Sequence, residues 1–211
     1  MEELRAKGVK HFIVLPLYPQ FSDTTITSVE DDVARVTKSM GDEFSYTMIN
    51  GYHDHPQYIA ALADSIRHYQ EEHGKPDLLL MSFHGIPQEY VEDGDPYQGQ
   101  CEETARLLAN ALGLDDAMWK LTFQSRLGPK QWLQPYTDKT LEKLPSTGIK
   151  SVQVVCPGFS VDCLETLEEI AIENCEVFME AGGEEYSYIP CLNDSPEHIQ
   201  LMTTLVEKEL E

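Results

Sequence analysis

The sequence predicts an α/β protein with a parallel sheet and helices on its faces. Three observations carry this. From residue 78 onward, short apolar or β-branched runs alternate with amphipathic helical stretches, as strands joined by helical crossovers do. Gly and Pro punctuate the joints, as at Gly74-Lys-Pro76 and Pro157-Gly158. The 211 residues are 41% apolar without a low-complexity tract, enough for one large or two small cores.

In chain order, residues 12–19 read as a strand running into an extended Pro-rich loop. Residues 28–40 are helix-like and 45–50 a short strand. Residues 56–73 form a helix with Ile59, Leu62, Ala63, Ile66 and Tyr69 on one face and Pro56 in its first turn. A domain junction is placed at Gly74-Lys-Pro76. Beyond it come strand 78–83, helix 100–112, strand 118–123, a short helix at 138–144, strand 152–156, an acidic helix reaching Phe178, strand 186–189 and helix 196–210. Gly182-Gly183 reads as the stop of the acidic helix.

Fifteen basic against 37 acidic residues leave a net charge of −22, which makes nucleic acid and anionic lipid poor partners. No apolar run approaches the roughly 18–20 residues of a membrane span. The opening Met-Glu-Glu-Leu-Arg lacks a signal-peptide layout, so the expected compartment is the cytoplasm. The five cysteines include no Cys-x-x-Cys pair and are expected as reduced, mostly buried thiols.

In open α/β sheets, ligands sit outside the carboxyl ends of the strands. Those ends hold His84-Gly85, Gln124-Ser-Arg126, Pro157-Gly-Phe159 with Asp162 and Glu165, and Asn193-Asp194; Phe159 and Trp132 offer an apolar wall. A histidine there is either a hydrogen-bonded structural residue or a general base or metal ligand. Arg126 is either a cation for a substrate carboxylate or half of a surface ion pair. His53-Asp-His55 reads as surface loop. No dinucleotide fingerprint, phosphate loop or Gly-x-Ser-x-Gly elbow is present.

Around the acidic helix, Asp162 is the candidate cap, and Leu164, Leu167, Ile170, Ala171, Val177 and Phe178 the apolar side. At roughly 100° per residue, Asp162, Glu165, Glu169, Glu173 and Glu176 share an arc of about 80° on the other side. That arc is a solvated face, in part a capping box between Asp162 and Glu165, or a ladder of oxygen ligands for a divalent cation.

Four stretches together resemble the ferrochelatase family, closest to its proteobacterial members. They are Leu15-Pro-Leu-Tyr-Pro-Gln-Phe-Ser22, Met81-Ser-Phe-His-Gly-Ile-Pro87, Thr122-Phe-Gln-Ser-Arg-Leu-Gly128 with Trp132-Leu, and Pro157-Gly-Phe-Ser-Val-Asp-Cys-Leu-Glu-Thr-Leu167. The resemblance implies two Rossmann-like, chelatase-like α/β domains with a porphyrin cleft between them. This chain would be a C-terminal fragment: 1–74 the closing part of the first domain, 77–191 the second, and 195–211 a helix returning to the first. The missing portion would carry much of the porphyrin-facing wall and some surface for peripheral association of the intact enzyme with membrane.

The activity so implied is insertion of Fe²⁺ into protoporphyrin IX, the last step of haem synthesis, with the fragment inactive alone. By the same resemblance His84 and Glu165 are catalytic, and His84, Glu165, Asp162, Glu169 and Glu173 are the metal set. Tyr18, Phe159 and Trp132 are placed against the porphyrin. Iron is a substrate, no permanent cofactor is expected, and no iron–sulfur cluster, because Asp23 stands where cluster-bearing relatives have cysteine. Cys163 stands where some members carry histidine. The alternatives are a non-catalytic metal-binding or interaction fragment, and a cobalt chelatase of corrin synthesis.

Overall fold

The structure is a computed structural model that describes residues 2–210. Helix α1 (Glu2–Ala6) and strand β1 (His11–Val14) lead through a π turn, Asp23–Thr27, into α2 (Ser28–Met40), β2 (Ser45–Met48) and α3 (Pro56–His73). Then come β3 (Leu78–His84), α4 (Gln88–Glu92), α5 (Tyr97–Leu112), β4 (Trp119–Gln124) and α6 (Thr137–Lys143), which ends in a 3₁₀ turn, Leu144–Thr147. Strand β5 (Ser151–Val155) precedes a π segment, Glu165–Glu173, continuous with α7 (Asn174–Glu180); β6 (Glu185–Tyr188) and α8 (Pro196–Lys208) close the chain.

All strand pairings are parallel. Strands β1 and β2 form a two-stranded sheet, and the second sheet has the order β4-β3-β5-β6. The α/β class with helices on both faces is therefore as the sequence predicts. Central strand β3 is apolar and buried from Leu78 to Met81, as expected where both faces are covered. Its alternation divides the interior. Leu79, Met81 and Phe83 enter a core shared with Tyr58, Leu62 and Ile66 of α3, Leu108 of α5 and Leu201 of α8. Leu78 and Leu80 join Val152, Val154, Leu141, Ile170 and Phe178 on the opposite face.

Helix α3 packs on α5 and α8, in the same core as β3 and β4. Gly74, at φ +80, caps α3 through its N–H to Gln70 and turns the chain toward β3. The segments before Gly74 and after Pro76 thus meet in one apolar interior, and α8 lies on α3. Buried polar bonds add to this. Asp95 accepts from Ser22 Oγ at 2.7 Å, from the Asp23 N–H and from the Tyr97 N–H, joining the loop after β1 to the start of α5.

The acidic helix differs most from expectation. Its first nine residues wind as a π helix, in which residues four and five apart stack along the axis. The buried positions are Thr166, Ile170, Asn174 and Phe178, a repeat of four. Leu164 and Leu167, assigned to the apolar side at 100° per residue, are instead 70% and 50% exposed. Asp162 is not the cap either. The residue preceding the π segment is Leu164, with no side-chain cap bond, and the Glu165 capping box does not form. Helix α5 begins at Tyr97, earlier than the apolar periodicity alone indicates, because Asp95 receives its first free N–H.

The expected stop at Gly182-Gly183 has two separate causes. Gly182 adopts φ +98, a left-handed conformation suited to glycine. A Cβ on Gly183 would lie 2.2 Å from the buried ring of Phe178. No helix among the described residues is long and apolar enough to cross a membrane. Gly183→Ala should therefore force Phe178 out of position and lower the unfolding free energy by about 1–3 kcal/mol, read as a lower denaturant midpoint at unchanged slope.

Candidate active site

The alternation that divides the core also aims His84. Counting by two from Leu78 and Leu80, Ser82 and His84 fall on the face covered by the π segment and α7. Gln124 pairs with His84 in the β3–β4 ladder and shares that face. Ser82 Oγ donates to Gln124 Oε1 at 2.8 Å, which turns the Gln124 amide toward the π segment; Gln124 Nε2 donates to the Glu165 carbonyl at 2.9 Å. One polar chain thus runs from the strand bearing His84 to the backbone of Glu165.

The loop after β5 is held from the other side. Pro157 O accepts from Tyr58 OH at 2.6 Å and from Gln20 Nε2 at 3.2 Å, and Tyr52 OH meets Ser160 Oγ at 2.5 Å. All three side chains, Gln20, Tyr52 and Tyr58, come from the N-terminal third of the chain. They fix Phe159, whose ring centroid lies 6.3 Å from that of His84, as does that of Trp132. Gly85 leaves room for this: a Cβ there would sit 3.2 Å from the Trp132 ring and 3.0 Å from Gln124 O.

The result is an open hollow of about 770 Å³ in which His84, Glu165, Tyr18, Phe159 and Trp132 share the wall with Cys163. Its volume is in the range of sites that bind drug-sized or cofactor-sized molecules. His84 Nδ1 lies 2.6 Å from Gly85 O. A carbonyl only accepts, so Nδ1 carries the proton and a neutral ring leaves its Nε2 lone pair free. The Glu165 carboxyl is held below its ordinary value, first by the Cys163 thiol and then by its own N–H, against partial burial; His84 adds a smaller lowering. Burial, and the anion beside it, push the Cys163 thiol up.

The other acidic candidates lie elsewhere. Glu169 and Glu173 line a neighbouring hollow of about 430 Å³ with Ser125, Arg126 and Asp138. Ser125, left-handed at φ +63, donates its N–H to Glu169 Oε1 at 2.7 Å and its hydroxyl to Oε2. Arg126 is the ion-pair member of its two readings, with two bonds of 2.7 and 2.8 Å to Asp138. His53 contacts Glu103 and His55 caps α3, as loop residues do.

Asp162 borders neither hollow. Its Oδ1 accepts from Tyr188 OH at 2.6 Å, Thr166 Oγ1 at 3.2 Å and Cys191 N at 3.3 Å, and its Oδ2 from Asn193 Nδ2 at 2.7 Å. Asn193, at φ +49, returns Oδ1 to the Asp162 N–H at 2.9 Å. With its oxygens so occupied, Asp162 ties the start of the π segment to the loop before α8. Among the described residues, no three His, Cys, Asp or Glu side chains form one metal-binding group, so the five proposed ligands are not a single cluster.

Sequence reasoning passed over Gln20, Tyr52, Tyr58, Gln124 and Ser125. Gln124-Ser125 is legible as a strand exit, but nothing local marks its bonds to the Glu165 carbonyl and the Glu169 carboxylate. The tyrosines carried no signal, because their partners lie about a hundred residues away.

The parallel sheets with helices on their faces form a chelatase-like α/β fold. SirB of Bacillus subtilis, solved with Fe³⁺, superposes with a TM-score of 0.64 at 14% identity, over 98% of this chain and 74% of that one. The sirohydrochlorin chelatase SirB of B. subtilis subspecies spizizenii, solved with cobalt, gives 0.65 at 13% identity, over 98% and 72%. The sequence model of the Ferrochelatase family matches residues 1–210, and the chain belongs to that family. It is 54% identical over 209 residues to the ferrochelatase of Vibrio parahaemolyticus and 52% identical over 209 residues to that of Aeromonas hydrophila. Both alignments cover 99% of this chain, which spans about 65% of the length of these relatives.

The Asp162 network sets a pH dependence. Burial acts to raise its carboxyl, but the bonds from Asn193, Tyr188 and Cys191 outweigh it and hold the group below its ordinary value. A lowered folded value stabilises the fold above the unfolded value of about 4, and that gain is lost as pH falls through the folded one. Asp162→Asn should cost roughly 1–3 kcal/mol at neutral pH. In urea titrations across pH, its deficit against the parent chain should shrink below about pH 4.

Proposed function

We propose that the protein containing this chain inserts Fe²⁺ into protoporphyrin IX to give protohaem. The observation that carries the reading is one hollow with apolar walls, entered by an imidazole from β3 and by a carboxylate from the start of the π segment. Family membership supports it, and so does the name of the relatives. Insertion releases two pyrrole protons and exchanges the waters of the cation for four ring nitrogens. His84 Nε2, left without a proton by the bond at Nδ1, accepts one pyrrole proton, and solvent water at the open hollow takes the other. Glu165, held ionised by Cys163, is a weak base at neutral pH and an effective partner for the incoming cation.

Phe159, Trp132 and Tyr18 lie against the macrocycle in this reading. Glu169 and Glu173, in the adjoining hollow, hold the cation on its approach. Residues 1–74 with 195–211 are assigned to one domain, completed by the further length the relatives possess, and 77–191 to the other. Leu17, Tyr18 and Val161 are exposed apolar residues of the hollow's wall, which supports a peripheral contact of the intact enzyme with membrane. The five cysteines are free thiols, in keeping with a cytoplasmic protein.

The test is porphyrin metallation by protein of the relatives' full length, followed by absorbance with Fe²⁺ or Zn²⁺. His84→Ala should lower turnover about 100-fold or more, whereas Glu165→Gln should raise the metal concentration needed for half-maximal rate. Undiminished turnover in His84→Ala would remove the imidazole from the mechanism.

A further inference from the structure

One hollow has a charge opposite to that of the chain around it. The His84 hollow includes Glu165; its neighbour includes Asp138, Glu169 and Glu173; a third, beside α3, includes Asp64, Glu72 and Glu197. A fourth, of about 550 Å³ beside β4 and α6, is lined by Lys120, Lys139 and Lys143 and, among the described residues, by no carboxylate. Tyr136, Pro135 and Leu144 give it an apolar side. Arg126 stands against the same tyrosine, its guanidinium 4.4 Å from the ring centroid.

Local structure accounts for these lysines only one at a time. A lysine on edge strand β4 discourages pairing with another chain. Lys143, in the last turn of α6, meets the negative end of the helix. Lys139 is bonded to Glu142 at 2.9 Å. None of this explains why three lysine side chains line one concavity, two of them four residues apart on a helix, where like charges repel. Lys120 and Lys143 have no ion-pair partner among the described residues, in a chain with 37 carboxylate side chains available. An anion held between them relieves the repulsion.

We propose that this hollow binds a small soluble polyanion through a diphosphate or triphosphate group. Lysine engages phosphate as a point charge, whereas carboxylates favour the two-pronged geometry of arginine. The one arginine nearby already gives that geometry to Asp138. The hollow has the volume of a small-molecule site, and the tyrosine ring offers a surface for an apolar portion of the ligand. Because the rest of the surface is strongly negative, the attraction is short-ranged and weakens with salt.

The test is calorimetric titration of the 211-residue chain with inorganic pyrophosphate at low ionic strength. Saturable binding is expected, weakened about tenfold or more in Lys120→Gln/Lys143→Gln and unchanged in Lys75→Gln, which lies away from the hollow. The two single variants should be intermediate, and thermal melts of all variants should match the parent. No saturable binding, or parental affinity in the double variant and in both singles, overturns the site. Citrate should bind more weakly than pyrophosphate; equal affinity overturns the phosphate assignment. Neither outcome bears on metal insertion, which uses other residues.

Discussion

The structure depends on the register of one buried strand. Along β3 successive side chains serve opposite faces of the sheet, so Phe83 must enter the core beneath α3 and α5, and His84 must emerge toward the π segment. A slip of one residue would exchange them, burying an imidazole among leucines and removing it from the hollow. That register is fixed on both sides, by Leu78 to Met81 against β5 and by Leu79 to His84 against β4. Apolar burial along the strand therefore sets the position of the one polar group at its end.

What faces His84 is placed by hydrogen bonds rather than by apolar packing. Gln124 holds the Glu165 carbonyl, Ser125 holds the Glu169 carboxylate, and Asp162 anchors the start of the segment to Asn193 and Tyr188. The buried side of the π segment and α7 alternates polar and apolar residues, Thr166, Ile170, Asn174 and Phe178, and Asn174 donates to Glu169 O at 2.8 Å. The wide turn leaves Glu165 in one hollow and Glu169 in the next. In the proposed reaction this separates the carboxylate that meets the porphyrin from those that hold the cation beforehand.

Most strands and helices are legible in the sequence because they have a clear apolar period and a Gly or Pro boundary; the short α4, which buries no residue, has no such period. Residues 152–155, after β3, and the face of α3 from Ile59 to Ile66, before it, are the clearest cases. His84 and Glu165 were legible as strand-end and helix-start residues, and the motifs around them named the family. The winding of residues 165–173 was not, since a template of 100° per residue cannot register a repeat of four. Nor was the engagement of Asp162, whose partners Tyr188, Cys191 and Asn193 lie on the far side of α7 in sequence. Long-range polar pairing leaves no local pattern to read.

The central claim is that His84 and Glu165 share one electrostatic environment. The most direct measurement is the titration of the Glu165 carboxyl, followed by NMR in the parent chain and in His84→Gln. Histidine is charged in the acid range where carboxylates titrate, so removing it takes away one of the influences that hold Glu165 low. The account predicts that Glu165 titrates at higher pH in the variant. A Glu165 titration indifferent to residue 84 would contradict it.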